Sequence, residues 1–244
     1  MNFICRFAVA ALAAAAAQGS VLNRAAAHAH HVRHFYFLYD ASKSYVDDYD
    51  ANYHTIRNVL GTMALRDGYS FAMIGDCGFS GTPAYKPKHN VEMNYRYSKE
   101  RYDWIDNNLT DLSDAISTLT RRNKTDFTDI DGALMQAAWQ LRDSGDGERF
   151  LVIFSDMDND PAPACGGTRM AKAAGCGGPI GDLPPLGGIH VAVVNMTSNK
   201  ADERDRYRYQ CRRAVWKERL HQANALSVQF FFGEAHLFPV DAPE

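Results

Sequence analysis

His34–Tyr39 reads HFYFLY and runs directly into Asp40-Ala41-Ser42-Lys43-Ser44, a D-x-S-x-S sequence. An apolar and aromatic run without polar alternation is what a strand covered on both faces looks like, and it argues for a sheet enclosed by helices. Four more runs have the same character: Tyr69–Gly75 (YSFAMIG), Arg149–Ser155 (RFLVIFS), Ile189–Met196 (IHVAVVNM) and Ser227–Gly233 (SVQFFFG). Val91–Tyr97 (VEMNYRY) alternates apolar and polar residues, which suits an edge strand with one wet face.

Helical spacing fills the intervals. Tyr49–Met63 follows the first run, Ile105–Leu119 carries Leu109, Leu112, Ile116 and Leu119, Ile130–Leu141 carries Leu134, Ala137, Ala138 and Leu141, and Tyr209–Ala225 carries Val215, Trp216 and Leu220. Strands alternating with helices predict an α/β fold with a mostly parallel sheet. Pro161–Gly188 is rich in Gly and Pro and has no periodicity, so it reads as a long loop.

Of the 244 residues, 46% are apolar and 23% charged, ordinary for one globular domain with one sizeable core. The net charge of −3 offers no field of one sign, which disfavours nucleic acid and anionic membrane as partners. The first residues have the grammar of an export signal: Arg6, then an Ala-rich stretch from Ala8 to Ala17, then small-x-small sites ending at Ala17 and Ala27. Residues 1–27 are therefore expected to be a signal peptide and 28–244 a single domain, periplasmic or secreted, without a transmembrane segment. Beyond Cys5 remain Cys77, Cys165, Cys176 and Cys211, which allow two disulfides in three connectivities. Cys165 and Cys176 bracket a Gly-rich stretch and are the favoured pair; the absence of any C-x-x-C speaks against zinc.

In an open α/β sheet, ligands sit at the carboxyl ends of the strands. Asp40, Ser42 and Ser44 follow the first strand, Ser155-Asp156-Met157-Asp158 ends the run at Arg149–Ser155, and Thr128-Asp129-Ile130-Asp131-Gly132-Ala133-Leu134 opens the helix that feeds it. Carboxylates and hydroxyls are hard oxygen donors suited to a small divalent cation such as Mg²⁺ or Mn²⁺. Asp40, Ser42, Ser44, Thr128 and Asp156 are the expected metal ligands. With only two carboxylates the ion stays incompletely neutralised, and an acidic group of a partner would complete its shell. Taken singly, each reads more readily as a cap, Asp40 or Ser42 for the following helix, Thr128 for the Ile130–Leu141 helix and Asp156 for whatever follows its strand; the joint arrangement at these strand ends favours ligands.

The three-part set, in register with the strands, resembles a von Willebrand factor type A domain with a metal-ion-dependent adhesion site. The resemblance covers roughly Phe35 to Gly233 and makes Val91–Tyr97 the family's antiparallel strand. It implies an open, mostly parallel six-stranded sheet with one antiparallel edge strand and helices on both faces. It also implies one divalent ion, Mg²⁺ or alternatively Mn²⁺ or Ca²⁺, that grips an acidic side chain of a protein partner, with no catalysis. The family commonly has T-D-G where this chain has Ser155-Asp156-Met157, and a Met should make that turn less permissive. Thr125 rivals Thr128 for the Thr role but fits the spacing to Ala133-Leu134 less well.

The alternative is a haloacid dehalogenase-like phosphohydrolase using Asp156 as nucleophile and Asp158 as acid. About 150 residues precede the pair, where such a motif normally opens its domain, and the required downstream Lys has no convincing counterpart. Asp156-x-Asp158-x-Asp160 lacks the Gly and Glu of an EF-hand and reads at most as an auxiliary cation contact. His190, inside an apolar strand, is expected to be a core histidine rather than a base.

Overall fold

The computed structural model describes residues 32–40, 42, 45, 49–63, 67–75, 77, 98–122, 127–160, 182–194, 196 and 203–231. Its strands are β1 (Arg33–Asp40), β2 (Gly68–Ile74), β3 (Glu148–Phe154), β4 (Ile189–Val194) and β5 (Ser227–Phe231), and its helices α1 (Tyr49–Thr62), α2 (Ser98–Arg122), α3 (Ile130–Asp143) and α4 (Glu203–Gln222). All five runs expected to be buried strands are strands, and all four helical patterns are helices. α2 is much longer than expected, beginning at Ser98 with Lys99, Glu100 and Asp103 exposed ahead of Trp104, and α4 begins at Glu203 rather than Tyr209 and ends at Gln222 rather than Ala225.

The strands form one sheet in the order β2-β1-β3-β4-β5, and every pairing is parallel. This corrects the expectation of six strands with an antiparallel edge: the described sheet has five and no antiparallel member. Val91–Tyr97, the expected edge strand, lies outside the described residues, as do the expected signal peptide and the favoured disulfide pair Cys165 and Cys176.

Side chains of successive β1 residues point to opposite faces, and both faces are covered. Phe35, Phe37 and Tyr39 pack with Phe150, Val152 and Phe154 under α1 and α2, where Ile56, Leu60, Leu109 and Leu112 meet them. Phe35 stacks on Phe150 with ring centroids 5.0 Å apart, and these two residues are register partners in the β1–β3 pair. Tyr36 and Leu38 point the other way, with Leu151, Ile153 and Val193, against Leu134 and Ala138 of α3 and Trp216 of α4. Double coverage explains why the central strands show no alternation. β5 differs: at one edge of the sheet, it is half-buried along its length with Gln229 exposed, although its sequence reads as a fully covered strand. His190 of β4 is likewise half-buried, stacked on Phe150 and hydrogen-bonded through Nδ1 to Ser227 Oγ at 2.8 Å.

From β1 the chain turns outward to β2, and from β3 it turns the opposite way to β4. The order of winding therefore reverses between β1 and β3, so the crevice beyond their carboxyl ends is the topological switch point, where ligands of such sheets bind. Asp40 ends β1 and Ser155-Asp156 follow β3 at that crevice.

Candidate metal centre

Asp40 is fully buried at the end of β1. Its Oδ1 accepts the Ser42 backbone N–H at 2.8 Å, a short turn that folds the chain back over the carboxylate, and its Oδ2 accepts the Ser155 hydroxyl at 2.7 Å. Burial, and secondarily the negative charge of Asp156, pushes the Asp40 carboxyl up to about 6, against the lowering effect of its bonds to Ser155 and Ser42. Asp40 and Asp156 thus sit close enough to repel, at the ends of two strands that are adjacent in the sheet.

The stretch after β3 is held in place residue by residue. Ser155 Oγ, which donates to Asp40, accepts the Met157 N–H at 2.9 Å. Met157 takes a left-handed conformation, φ 61°, with its side chain wholly buried, and its carbonyl accepts Trp216 Nε1–H at 2.9 Å. The permissive glycine that this turn would favour is absent, and bonds on both sides of Met157 fix the conformation instead. Asp158 N–H donates to Asp156 Oδ1 at 3.0 Å, so Asp156 caps its own loop as well as facing Asp40.

Thr128 is buried and forms a two-way backbone pair with Asp160, 2.9 Å and 2.8 Å, an isolated antiparallel bridge that ties the start of α3 to the loop after β3. Asp129 is the N-cap of α3, accepting the Gly132 N–H at 2.9 Å, while its own N–H reaches Gly75 O at 2.8 Å. Burial raises the Asp129 carboxyl, the bond from Gly132 lowers it, and the charge of Asp131 adds to the rise. Asn159 is buried and bonds α3 twice, accepting from Ile130 N–H at 2.8 Å and donating to Asp131 at 3.1 Å. The cap of α3 is therefore Asp129 and not Thr128, which leaves the capping account of Thr128 without support.

Of the five expected ligands, Asp40, Ser42, Thr128 and Asp156 all stand at the switch-point crevice or on the segments bonded to it; Ser44 lies outside the described residues. Thr125, the rival for the Thr role, also lies outside them. Among the described residues no group of three or more His, Cys, Asp or Glu side chains could hold a metal ion. A cation here would need hydroxyl oxygens beside its two carboxylates, which is the donor set the crevice offers. Asp40 accepts hydrogen bonds from the Ser42 backbone, the Ser42 side chain and the Ser155 hydroxyl, so two hydroxyl groups stand against its carboxylate. Two repelling carboxylates, one fully buried, are a surrounding that a divalent ion relieves. The residues present fit a small hard cation.

Three participants were not foreseen from the sequence. Ser155 joins the two aspartates' strands through its hydroxyl. Arg212 of α4 donates to Asp156 O at 2.9 Å and lies 3.7 Å from Asp156 Oδ2 and 3.2 Å from Asp158 Oδ2. Arg219 of the same helix donates to Asp131 Oδ1 at 2.9 Å. The spacing of Arg212, Trp216 and Arg219, which puts them on one face of a helix, is the only local sign that the sequence carried. The ion pair with Arg212 also engages Asp158, the proton donor that the phosphohydrolase alternative needs.

No protein-family model matches the chain, and no curated protein matches it. Solved structures do. An aerotolerance-related membrane protein from Bacteroides fragilis, carrying multiple mutations to serines, is 13% identical over 84% of this chain and 93% of that one, with a TM-score of 0.46. A von Willebrand factor type A protein from Catenulispora acidiphila is 12% identical over 83% of this chain and 39% of that one, with a TM-score of 0.44. A mutant of the PilB minor pilin from Streptococcus sanguinis is 13% identical over 86% of this chain and 59% of that one, with a TM-score of 0.49. The α/β assignment stands on the sheet's own hydrogen-bonded register.

Proposed function

We propose that this protein is an exported binding module of the von Willebrand type A kind, which holds one divalent cation, Mg²⁺ or alternatively Mn²⁺ or Ca²⁺, and through it grips an acidic side chain of a protein partner. The ligands are Asp40, Ser42, Ser44, Thr128 and Asp156. The observation that carries the reading is the nearness of the Asp40 and Asp156 charges at the switch point, with the Ser155 and Ser42 hydroxyls bonded to Asp40. When bound, the ion supplies an open coordination position of positive charge. Two carboxylates and neutral hydroxyls match its charge incompletely and leave room for a third carboxylate from outside.

No catalysis is assigned: the site's chemistry is that of a cation held between oxygens. The hydrogen-bonded pair Ser227 and His190 lies near the amino ends of β5 and β4, at the opposite edge of the sheet from the crevice. Export is supported by the Ala-rich N-terminal sequence and by the half-cystines Cys77 and Cys211. None of the described helices is long and apolar enough to cross a membrane.

Calorimetric titration of Mg²⁺ and Mn²⁺ into the purified mature chain tests the reading. One site is expected in the wild type and none in Asp40→Ala. Undiminished binding by that variant would remove the assignment. Retrieval of a partner by the immobilised wild type but not by Asp40→Ala, and its loss on chelation, is the expected result at the level of function.

A further inference from the structure

We propose that Arg212 is a built-in counter-cation of this site, which holds the metal-free loop closed and keeps the affinity for a divalent ion down. This role rests on the metal-binding reading above and concerns how that site is regulated.

The geometry is specific. One guanidinium, only 16% exposed, spans two carboxylates and a carbonyl of the loop after β3: Asp156 Oδ2 at 3.7 Å, Asp158 Oδ2 at 3.2 Å and Asp156 O at 2.9 Å. Its central carbon lies 5.6 Å from the centre of the Tyr209 ring, one helical turn back. Trp216, one turn onward and fully buried, bonds the neighbouring Met157 carbonyl, so the helix cannot slide without losing that bond too. A guanidinium does not lose its proton at any ordinary pH, so this positive charge is permanent.

Among the described ligands, Asp156 already has a cation beside it. A divalent ion held by Asp156 would share that carboxylate with Arg212, whose like charge would oppose it. At the effective dielectric of a partly buried site, a unit charge several ångströms from a divalent ion weakens binding by roughly tenfold or more. In the absence of metal the same charge offsets part of the repulsion among Asp40, Asp156 and Asp158. The loop is then stable empty, and the ion is bound reversibly rather than as a permanent structural part.

The alternative is a purely structural guanidinium that merely bonds the Asp156 carbonyl. Three variants separate the two. Arg212→Gln keeps a donor and loses the charge; Arg212→Met keeps the apolar stem and loses the charge; Arg212→Lys keeps the charge and loses the planar fork. Mn²⁺ is titrated into each full-length mature chain by calorimetry, and the rise in melting temperature at saturating Mn²⁺ is measured alongside. The expected result is binding about tenfold tighter in the Gln and Met variants, with a larger Mn²⁺-induced rise in melting temperature, and near wild-type affinity in the Lys variant. Wild-type binding of one Mn²⁺ with no tightening in either uncharged variant overturns the proposal and leaves the metal site intact. Failure of both uncharged variants to fold, even with Mn²⁺ present, overturns it in favour of the structural role. Absence of Mn²⁺ binding in every form sinks the metal reading itself; binding that appears only in the uncharged variants supports the proposal.

Discussion

The Ser155 hydroxyl donates to Asp40 Oδ2 at 2.7 Å across a sequence separation of 115 residues. That bond spans the gap between β1 and β3 at the point where the sheet changes its direction of winding. The same oxygen accepts the Met157 N–H at 2.9 Å, so one side chain sets both the orientation of a buried carboxylate and the turn that follows.

Ser155→Ala is expected to cost about 1–3 kcal/mol, because it leaves the buried Asp40 oxygen and the Met157 N–H short of a partner. Weaker Mn²⁺ binding should accompany the loss, since Asp40 is then oriented by its Ser42 bonds alone. Urea denaturation and calorimetry on the same preparation would check both; an unchanged midpoint with unchanged affinity would count against the bridging role.

Asp40 is expected to make the metal-free protein more stable in mild acid. Its carboxyl is pushed up to about 6 from 3.8, so between those values the folded chain holds a proton that the unfolded chain has released. Stability contributed by this group therefore rises as pH falls from 7 toward 4, by at most about 3 kcal/mol. Asp40→Asn should lose that part of the slope. Denaturation midpoints measured in chelator at several pH values, wild type against variant, give the difference directly.

Metal binding should follow the opposite course. Protons compete for the Asp40 carboxylate below about pH 6, so Mg²⁺ or Mn²⁺ affinity is expected to fall by about tenfold per pH unit there and to level off above pH 7. A titration series from pH 5 to 8 reads this; affinity flat across that range would place Asp40 outside the coordination shell.

Met157→Gly tests which of two effects dominates at the left-handed turn. Glycine relieves a backbone cost of about 1–2 kcal/mol at φ 61°, but it removes a fully buried side chain from the core beneath α3 and α4, worth about 2–5 kcal/mol. The lost packing outweighs the relieved backbone, so a net loss of about 1–3 kcal/mol is expected by chemical denaturation.

Peptide mapping of the mature chain without reduction is expected to recover Cys77 and Cys211 in disulfide form and Cys165 joined to Cys176. Free thiols at all four positions would withdraw the support that cysteine chemistry lends to export.

The fold was legible because covered strands have a plain signature. HFYFLY, FLVIF and IHVAVV need apolar side chains on both faces, and their ends fall within two residues of the expected ones. The exposure of β5 was not legible, since SVQFF carries the same residue types as a central strand and β2, at the other edge of the sheet, is mostly buried. The places of Asp40, Ser42, Thr128 and Asp156 were readable because each sits at or just after a strand end or at a helix start; their role as ligands belongs to the proposal. The place of Arg212 was not readable, because 56 residues separate it from Asp156 and nothing local to either predicts the contact. Ser155 was visible only as the last residue of a strand; its hydroxyl acquires meaning once β3 lies beside β1.

The stripe formed by Arg212, Trp216 and Arg219 bears on how this chain tolerates changes of length. Each residue of an α-helix turns the next by about 100°, so one residue inserted between Arg212 and Arg219 would swing one end of the stripe away from its partners. Duplications and deletions in α4 should be selected against far more strongly than in surface loops, even though most of the helix's outer positions are polar and individually replaceable.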